Sequence, residues 1–210
     1  MTARRSFLAF FGTAMFGIGA SPAQVQPPAV GRWRPTRHAK DDWFDQIPGQ
    51  HRLLFDSLSV QGVRYMQVFA TNYFATSKRE YGLDSTELAV VACMRHLATP
   101  FAFGDAIWTK YGPALAESIK FTDPDTSRWP TVNVYRQSLE ALVKRGLHIA
   151  VCDTSTHGFA NEIARKTGGN ADAVYREITA SVIGDAHFVT AGIVAINRAQ
   201  ERGYSIAYVG

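Results

Sequence analysis

Three features of the chain predict an α/β domain: a three-layer arrangement with an open, mostly parallel sheet of about five strands. Two uninterrupted apolar runs, ELAVVAC (Glu87–Cys93) and LHIAVC (Leu147–Cys152), have the composition of strands buried on both faces. Between such runs, apolar residues recur at three- and four-residue spacing, and glycines close several of these segments. Alternation of the two types calls for crossover helices covering both faces of a parallel sheet.

The chain opens with residues 1–23, which have the three-part layout of an export signal. A short basic start is followed by an apolar stretch from Phe7 to Ala20 and a small-residue exit at Ser21-Pro22-Ala23. The stretch is shorter than the roughly 20 residues a spanning helix needs, so no stable membrane insertion is expected after cleavage. Arg4-Arg5-Ser6-Phe7-Leu8 resembles the twin-arginine export signal, which serves proteins that are already folded; an ordinary secretory signal is the alternative. Either route puts the mature protein outside the cytoplasm, and the twin-arginine route puts it in the periplasm. Residues 24–50, with Pro27, Pro28 and Pro35 and no apolar period, read as a flexible linker. Residues 51–210 form the α/β domain.

Within the domain, Arg52–Phe55 is a short first strand. Gly62–Tyr81 carries Val63, Met66, Phe69, Ala70, Tyr73 and Phe74 on one helical face and stops at Gly82. After Glu87–Cys93, a helix over Phe101–Tyr111 is expected to end at Gly112-Pro113. The stretch from Gly112 to Pro130, broken by Asp123-Pro124-Asp125 and Trp129-Pro130, is longer than most connections and reads as a flap or partner contact. A helix over Leu139–Lys144 closes at Gly146 and leads to the strand Leu147–Cys152. The hydroxyl-rich Asp153-Thr154-Ser155-Thr156 then starts a helix reaching Lys166. Helices over Ala171–Val182 and Ile193–Arg202 and strands over Ala186–Thr190 and Ser205–Val209 complete the domain.

Composition narrows the function classes. The chain has net charge +4, and loss of Arg4 and Arg5 with the leader halves that excess; no basic run argues for nucleic acid. The roughly 187 mature residues suffice for one domain with a substantial core. No GxGxxG or GxxxxGK[ST] follows a strand and no GxSxG elbow exists, so nucleotide cofactors and serine hydrolysis have no support. His38, His51, His148 and His187 are scattered without metal-ligand spacing, and neither a metal nor a cofactor is expected.

Ligands of open α/β sheets bind beyond the carboxyl ends of the strands, where both cysteines fall. Cys152 directly precedes a helix start, where unpaired N–H groups and the helix dipole favour a thiolate. His157, about one turn into that helix, and His96, just after the preceding apolar strand, are the candidate assisting groups. The expected catalytic set is therefore Cys152, His96 and His157. Cys93, Asp105, Trp108 and Lys110 are candidates for ligand binding, since Asp105 and Trp108 share a helical face leaving the same sheet edge. Cys93 could also act as a resolving thiol.

Three stretches carry a resemblance to a known family: VVACMRHLATPFAFGDAIWTKYG, LVKRGLHIAVCDTSTHGFA and GIVAINRAQERGYSIAYV. In this order they resemble the DsrE/DsrF-like family, and more narrowly its exported members, from about His51 to the C-terminus. The resemblance implies a flavodoxin-like fold, a homo-oligomer, and a cysteine at Cys152 that passes sulfur as a persulfide, with a sulfur-donor or acceptor protein or a small ligand as partner. Asp153 stands where many relatives have glycine; a carboxylate beside a thiol opposes its ionisation. Two readings follow. One is a periplasmic thiol protein acting through Cys152; the other is a non-catalytic small-ligand-binding or assembly module using the crevice at the strand ends.

Overall fold

The computed structural model describes residues 34–184 and 186–210. The export signal over residues 1–23 and the first part of the linker lie outside the described residues. Five parallel strands form one sheet in the order β4-β3-β2-β1-β5: β1 (His51–Ser57), β2 (Leu88–Met94), β3 (Leu147–Cys152), β4 (His187–Val189) and β5 (Ser205–Val209). Every residue of the central strand β2 is buried, which is why its sequence is an unbroken apolar run. The three-layer, flavodoxin-like α/β architecture is as expected.

Alternation along the strands divides the core in two. Phe55, Leu88, Val90, Ala92, Met94, Ile149 and Val151 face α2 (Val60–Tyr81), α3 (Asp105–Ile119), α4 (Arg136–Lys144), α5 (Asp153–Thr167) and α6 (Ala171–Thr179). Leu54, Ala89, Val91, Cys93, Ala150 and Val189 face α7 (Gly192–Gln200). The two cysteines share that second face, because Cys152 has the parity of Ala150.

Several boundaries differ from expectation. The domain begins before His51. Trp43–Gln46 forms a short helix whose Phe44 is fully buried, and the Tyr204 hydroxyl donates to the Phe44 carbonyl at 2.8 Å. Arg202, nearly enclosed, bonds Asp45 at 3.2 Å and Asp42 at 3.5 Å. The linker reading failed over this part because only Phe44 and Ile47 are fully buried there, too few to give a period.

Helix α3 does not stop at Gly112-Pro113 but runs through both to Ile119. Pro113 costs one helical hydrogen bond, to the carbonyl of Thr109, which lies on the exposed side. Gly112 serves a close approach: a Cβ there would lie 2.3 Å from the Pro130 carbonyl oxygen. The irregular connection is therefore residues 120–135. Its end is fixed by Asn133, whose amide donates to the carbonyls of Phe101 at 2.7 Å and Phe103 at 3.0 Å. The segment before α3 is a 3-10 helix, His96–Ala102, so Phe101 belongs to it and α3 starts at Asp105. Helix α6 ends at Thr179, because the Ser181 carbonyl accepts from Gly104 N and Val182 bridges Phe103.

Candidate functional site

Cys152 is the last residue of β3 and the N-cap of α5. Its neighbour β4 ends opposite it, at Val189, and α7 starts three residues later. Two strand-to-helix turns thus lie side by side, clamped by the Thr154 hydroxyl donating to the Thr190 carbonyl at 2.8 Å. Both helix N-termini reach the same sulfur. Cys152 Sγ accepts from the Ser155 N–H at 3.4 Å, the Ser155 hydroxyl at 3.2 Å and the Gly192 N–H at 3.2 Å. Helix starts leave N–H groups without intrahelical partners, and here two such groups and a hydroxyl are aimed at one sulfur. The residue is only 5% exposed.

His96 joins this site through Ser155. It adopts a left-handed backbone (φ 53°), which turns its N–H onto the Ser155 hydroxyl oxygen at 3.0 Å. His96, Leu97, Ser155, Gly158, Phe159 and Glu162 line a cavity of about 230 Å³ between the 3-10 helix and α5. The link from His96 to Cys152 is thus its backbone N–H through the Ser155 hydroxyl, not a hydrogen bond of the imidazole with the sulfur.

His157 lies elsewhere. Five residues beyond Cys152, it stacks on Tyr175 with ring centroids 3.8 Å apart, and its Nε2 is 3.7 Å from the Asp153 carboxylate. The same carboxylate accepts from the Tyr175 hydroxyl at 2.6 Å, a bond that, with burial, pushes the tyrosine up to about 12.

Cys93 is fully enclosed on the α7 face, and its thiol points at the Gly192 carbonyl, 3.8 Å away. Burial, reinforced by Asp56 and Cys152, pushes this thiol far above its ordinary value. In the β2–β3 register Cys93 pairs with Ala150, two residues short of Cys152. With strands about 4.8 Å apart and a rise of about 3.3 Å per residue, the two Cα atoms are about 8 Å apart. Disulfides need less than about 7 Å. Both cysteines are free, and a resolving role for Cys93 does not fit this geometry.

Asp105, Trp108 and Lys110 do not line the cavity. Trp108 is fully buried against Phe101, and its indole N–H donates to the Pro100 carbonyl at 2.9 Å. Asp105 ties the loop, accepting from Asn133 N at 3.1 Å and pairing with Arg136 at 2.7 Å. Lys110 pairs with Glu177 at 2.8 Å at the surface. Helical spacing correctly grouped Asp105 with Trp108 but could not tell a cleft from a core.

Three residues at the site escaped sequence reasoning: Gly192, Arg95 and Asp56. A Cβ on Gly192 would lie 2.6 Å from both Cβ and Cδ of Arg95. Arg95 in turn donates from Nε and Nη2 to the two carboxylate oxygens of Asp56, at 2.7 and 2.9 Å, with the Asp56 side chain only 8% exposed. That bond holds the guanidinium above even its usual high range. A glycine at the start of a helix after a short strand was the one available signal.

Among the described residues, no group of three or more His, Cys, Asp or Glu side chains is arranged to hold a metal ion, and no helix is long and apolar enough to cross a membrane. No family model matches the chain, and no curated protein matches it. Among solved structures, a protein of unknown function from Methanobacterium thermoautotrophicum is similar, at 12% identity over 76% of this chain and 99% of the other, with a TM-score of 0.42.

Proposed function

We propose that this chain is an exported, DsrE/DsrF-like periplasmic protein that takes up and passes on sulfur through Cys152. The observation that carries the reading is the convergence of three donors on Cys152 Sγ, from the starts of two helices. An inert core cysteine has no use for such a cradle; a thiolate or persulfide anion does. In the reaction, the Cys152 thiolate attacks the outer sulfur of a low-molecular-weight persulfide, R–S–SH. The donor's S–S bond breaks as the Cys152 Sγ–S bond forms, and R–S⁻ leaves and takes up the proton that the Cys152 thiol gave up. Delivery to an acceptor thiolate is the same exchange in reverse. His96, at the cavity beside Ser155, carries the proton to and from solvent. The carboxylate of Asp153, which would oppose a thiolate, is engaged by Tyr175 instead. Homo-oligomer formation is part of this reading and is tested by light scattering on the purified protein.

The test is intact mass of the mature protein after exposure to a small persulfide. Uptake of one sulfur atom, reversed by reductant and lost in Cys152→Ser, is expected; no uptake at Cys152 would overturn the reading. The cavity of about 230 Å³ beside His96 favours the second reading, a small-ligand-binding module, and binding without sulfur uptake would select it. For export, Arg4→Lys with Arg5→Lys should leave uncut precursor in the cytoplasm. Normal processing of that variant would assign the general secretory route.

A further inference from the structure

Of the three donors on Cys152, the Gly192 N–H comes from the start of α7. Helix α7 starts at Gly192, and its N-cap residue Ala191 offers no side-chain cap. What fixes its first peptide is contact from both sides. The Cys93 thiol, kept protonated by burial, reaches the Gly192 carbonyl at 3.8 Å. The aliphatic stem of Arg95 lies against the Gly192 Cα so closely that no Cβ fits. That stem is not free to swing, because its guanidinium is clamped by two charge-assisted bonds to Asp56 at the end of β1. The backbone of the same residue is pinned too, with Arg95 N donating to the Ser57 carbonyl at 3.1 Å. The next residue, His96, then holds the Ser155 hydroxyl that donates to the sulfur.

We infer that the Asp56–Arg95 pair is a positioning device for the Cys152 thiol, holding the Gly192 N–H and the Ser155 hydroxyl on the sulfur without touching it. This rests on Cys152 being the working thiol. Asp56 sits on β1, Arg95 after β2, Cys152 on β3 and Gly192 after β4, so the pair couples four strand ends into one rigid edge.

Charge and position make opposite predictions for Asp56→Asn. By charge alone, removing a carboxylate from the thiol's neighbourhood favours the thiolate and speeds its reaction with a neutral alkylating reagent. By position, loosening the clamp lets Gly192 retreat and slows it. The expected result at fixed pH is Cys152 alkylation about threefold slower in Asp56→Asn and slower still in Arg95→Ala. The Gly192 amide resonance should move in both variants, and also on alkylating Cys152 in the wild type. Arg95→Lys, which keeps the stem and a charge for Asp56, should restore most of the rate. Should Arg95→Ala fail to fold, Asp56→Asn and Arg95→Lys carry the test. A faster Asp56→Asn, or variants with an unmoved Gly192 amide and wild-type rates, would overturn the inference while leaving the sulfur reading intact. Absence of sulfur uptake by the wild-type protein would instead remove that reading.

Discussion

Replacing Ser155 by alanine separates reactivity from stability at this site. The substitution deletes one of three donors to Cys152 Sγ, the hydroxyl at 3.2 Å, and leaves the Ser155 and Gly192 N–H groups in place. It also removes the acceptor of the His96 N–H, but His96 is exposed, so water takes over that bond. The expected loss of folding stability is therefore only about 0.5 kcal/mol. A hydrogen bond to a charged group contributes about 1.5 kcal/mol or more, so losing one from a sulfur that attacks as an anion is worth up to about twelvefold in rate. Part of the sulfur's charge has already passed to the reagent in the transition state, so only about half of that free energy is expected in the rate. The net expectation is alkylation of Cys152 about three- to fourfold slower, with an unfolding midpoint close to wild type. Rates with a neutral alkylating reagent at several pH values, read by intact mass, measure it. Thr154→Ala is the control, since it cuts the clamp to the Thr190 carbonyl without removing a donor from the sulfur. An unchanged Ser155→Ala rate across pH would show that the hydroxyl does not act on the sulfur and would remove the physical basis for the cradle.

Trp108→Phe removes the indole donor from the Pro100 carbonyl, which keeps the Phe103 N–H at 3.1 Å, and opens a void, costing about 1–3 kcal/mol in denaturant unfolding, while Cys152 alkylation in the folded protein stays at the wild-type rate. Asn133→Ala strands the carbonyls of Phe101 and Phe103 and should cost about 2–3 kcal/mol; a cost near zero would mean water replaces the amide. His187, stacked on Trp43, is held below its ordinary value by burial, with Asp41 pulling weakly the other way. The unfolded chain therefore binds a proton before the folded one does, and stability should fall as pH drops below about 6.5. His187→Gln should flatten that slope in urea titrations at stepped pH, and an identical slope would assign the acid sensitivity to other groups.

Residues far apart in sequence explain most of what could not be read in advance. The strands were legible because burial on both faces erases polar alternation, leaving runs such as Leu88–Met94 that admit few other interpretations. The end of α3 was not, since Gly112 looks like a terminator until Pro130 is seen packed against it. In the same way Cys152 could be found from its strand end and the hydroxyl run after it. The Arg95 stem that backs Gly192 comes from the turn after another strand, and no local pattern links them. Trp108 was misassigned for the converse reason: its spacing is local and correct, but the face it defines turns inward.

Asp153 shows how adjacency in sequence can mislead about charge. As the neighbour of Cys152 it reads as a carboxylate that would repel a thiolate. At the first position of α5, however, its side chain diverges from that of the N-cap residue, and the Tyr175 hydroxyl on α6 captures it at 2.6 Å. There the carboxylate sits in the first turn of a helix, where negative charge is favourable, and its second oxygen faces His157. The acidic residue thus stabilises the start of α5 through contacts on the side away from the sulfur. The sulfur keeps the N–H groups that the same helix start leaves unpaired. A glycine at this position would lose the bond to Tyr175 and add nothing to the cradle of Ser155 and Gly192.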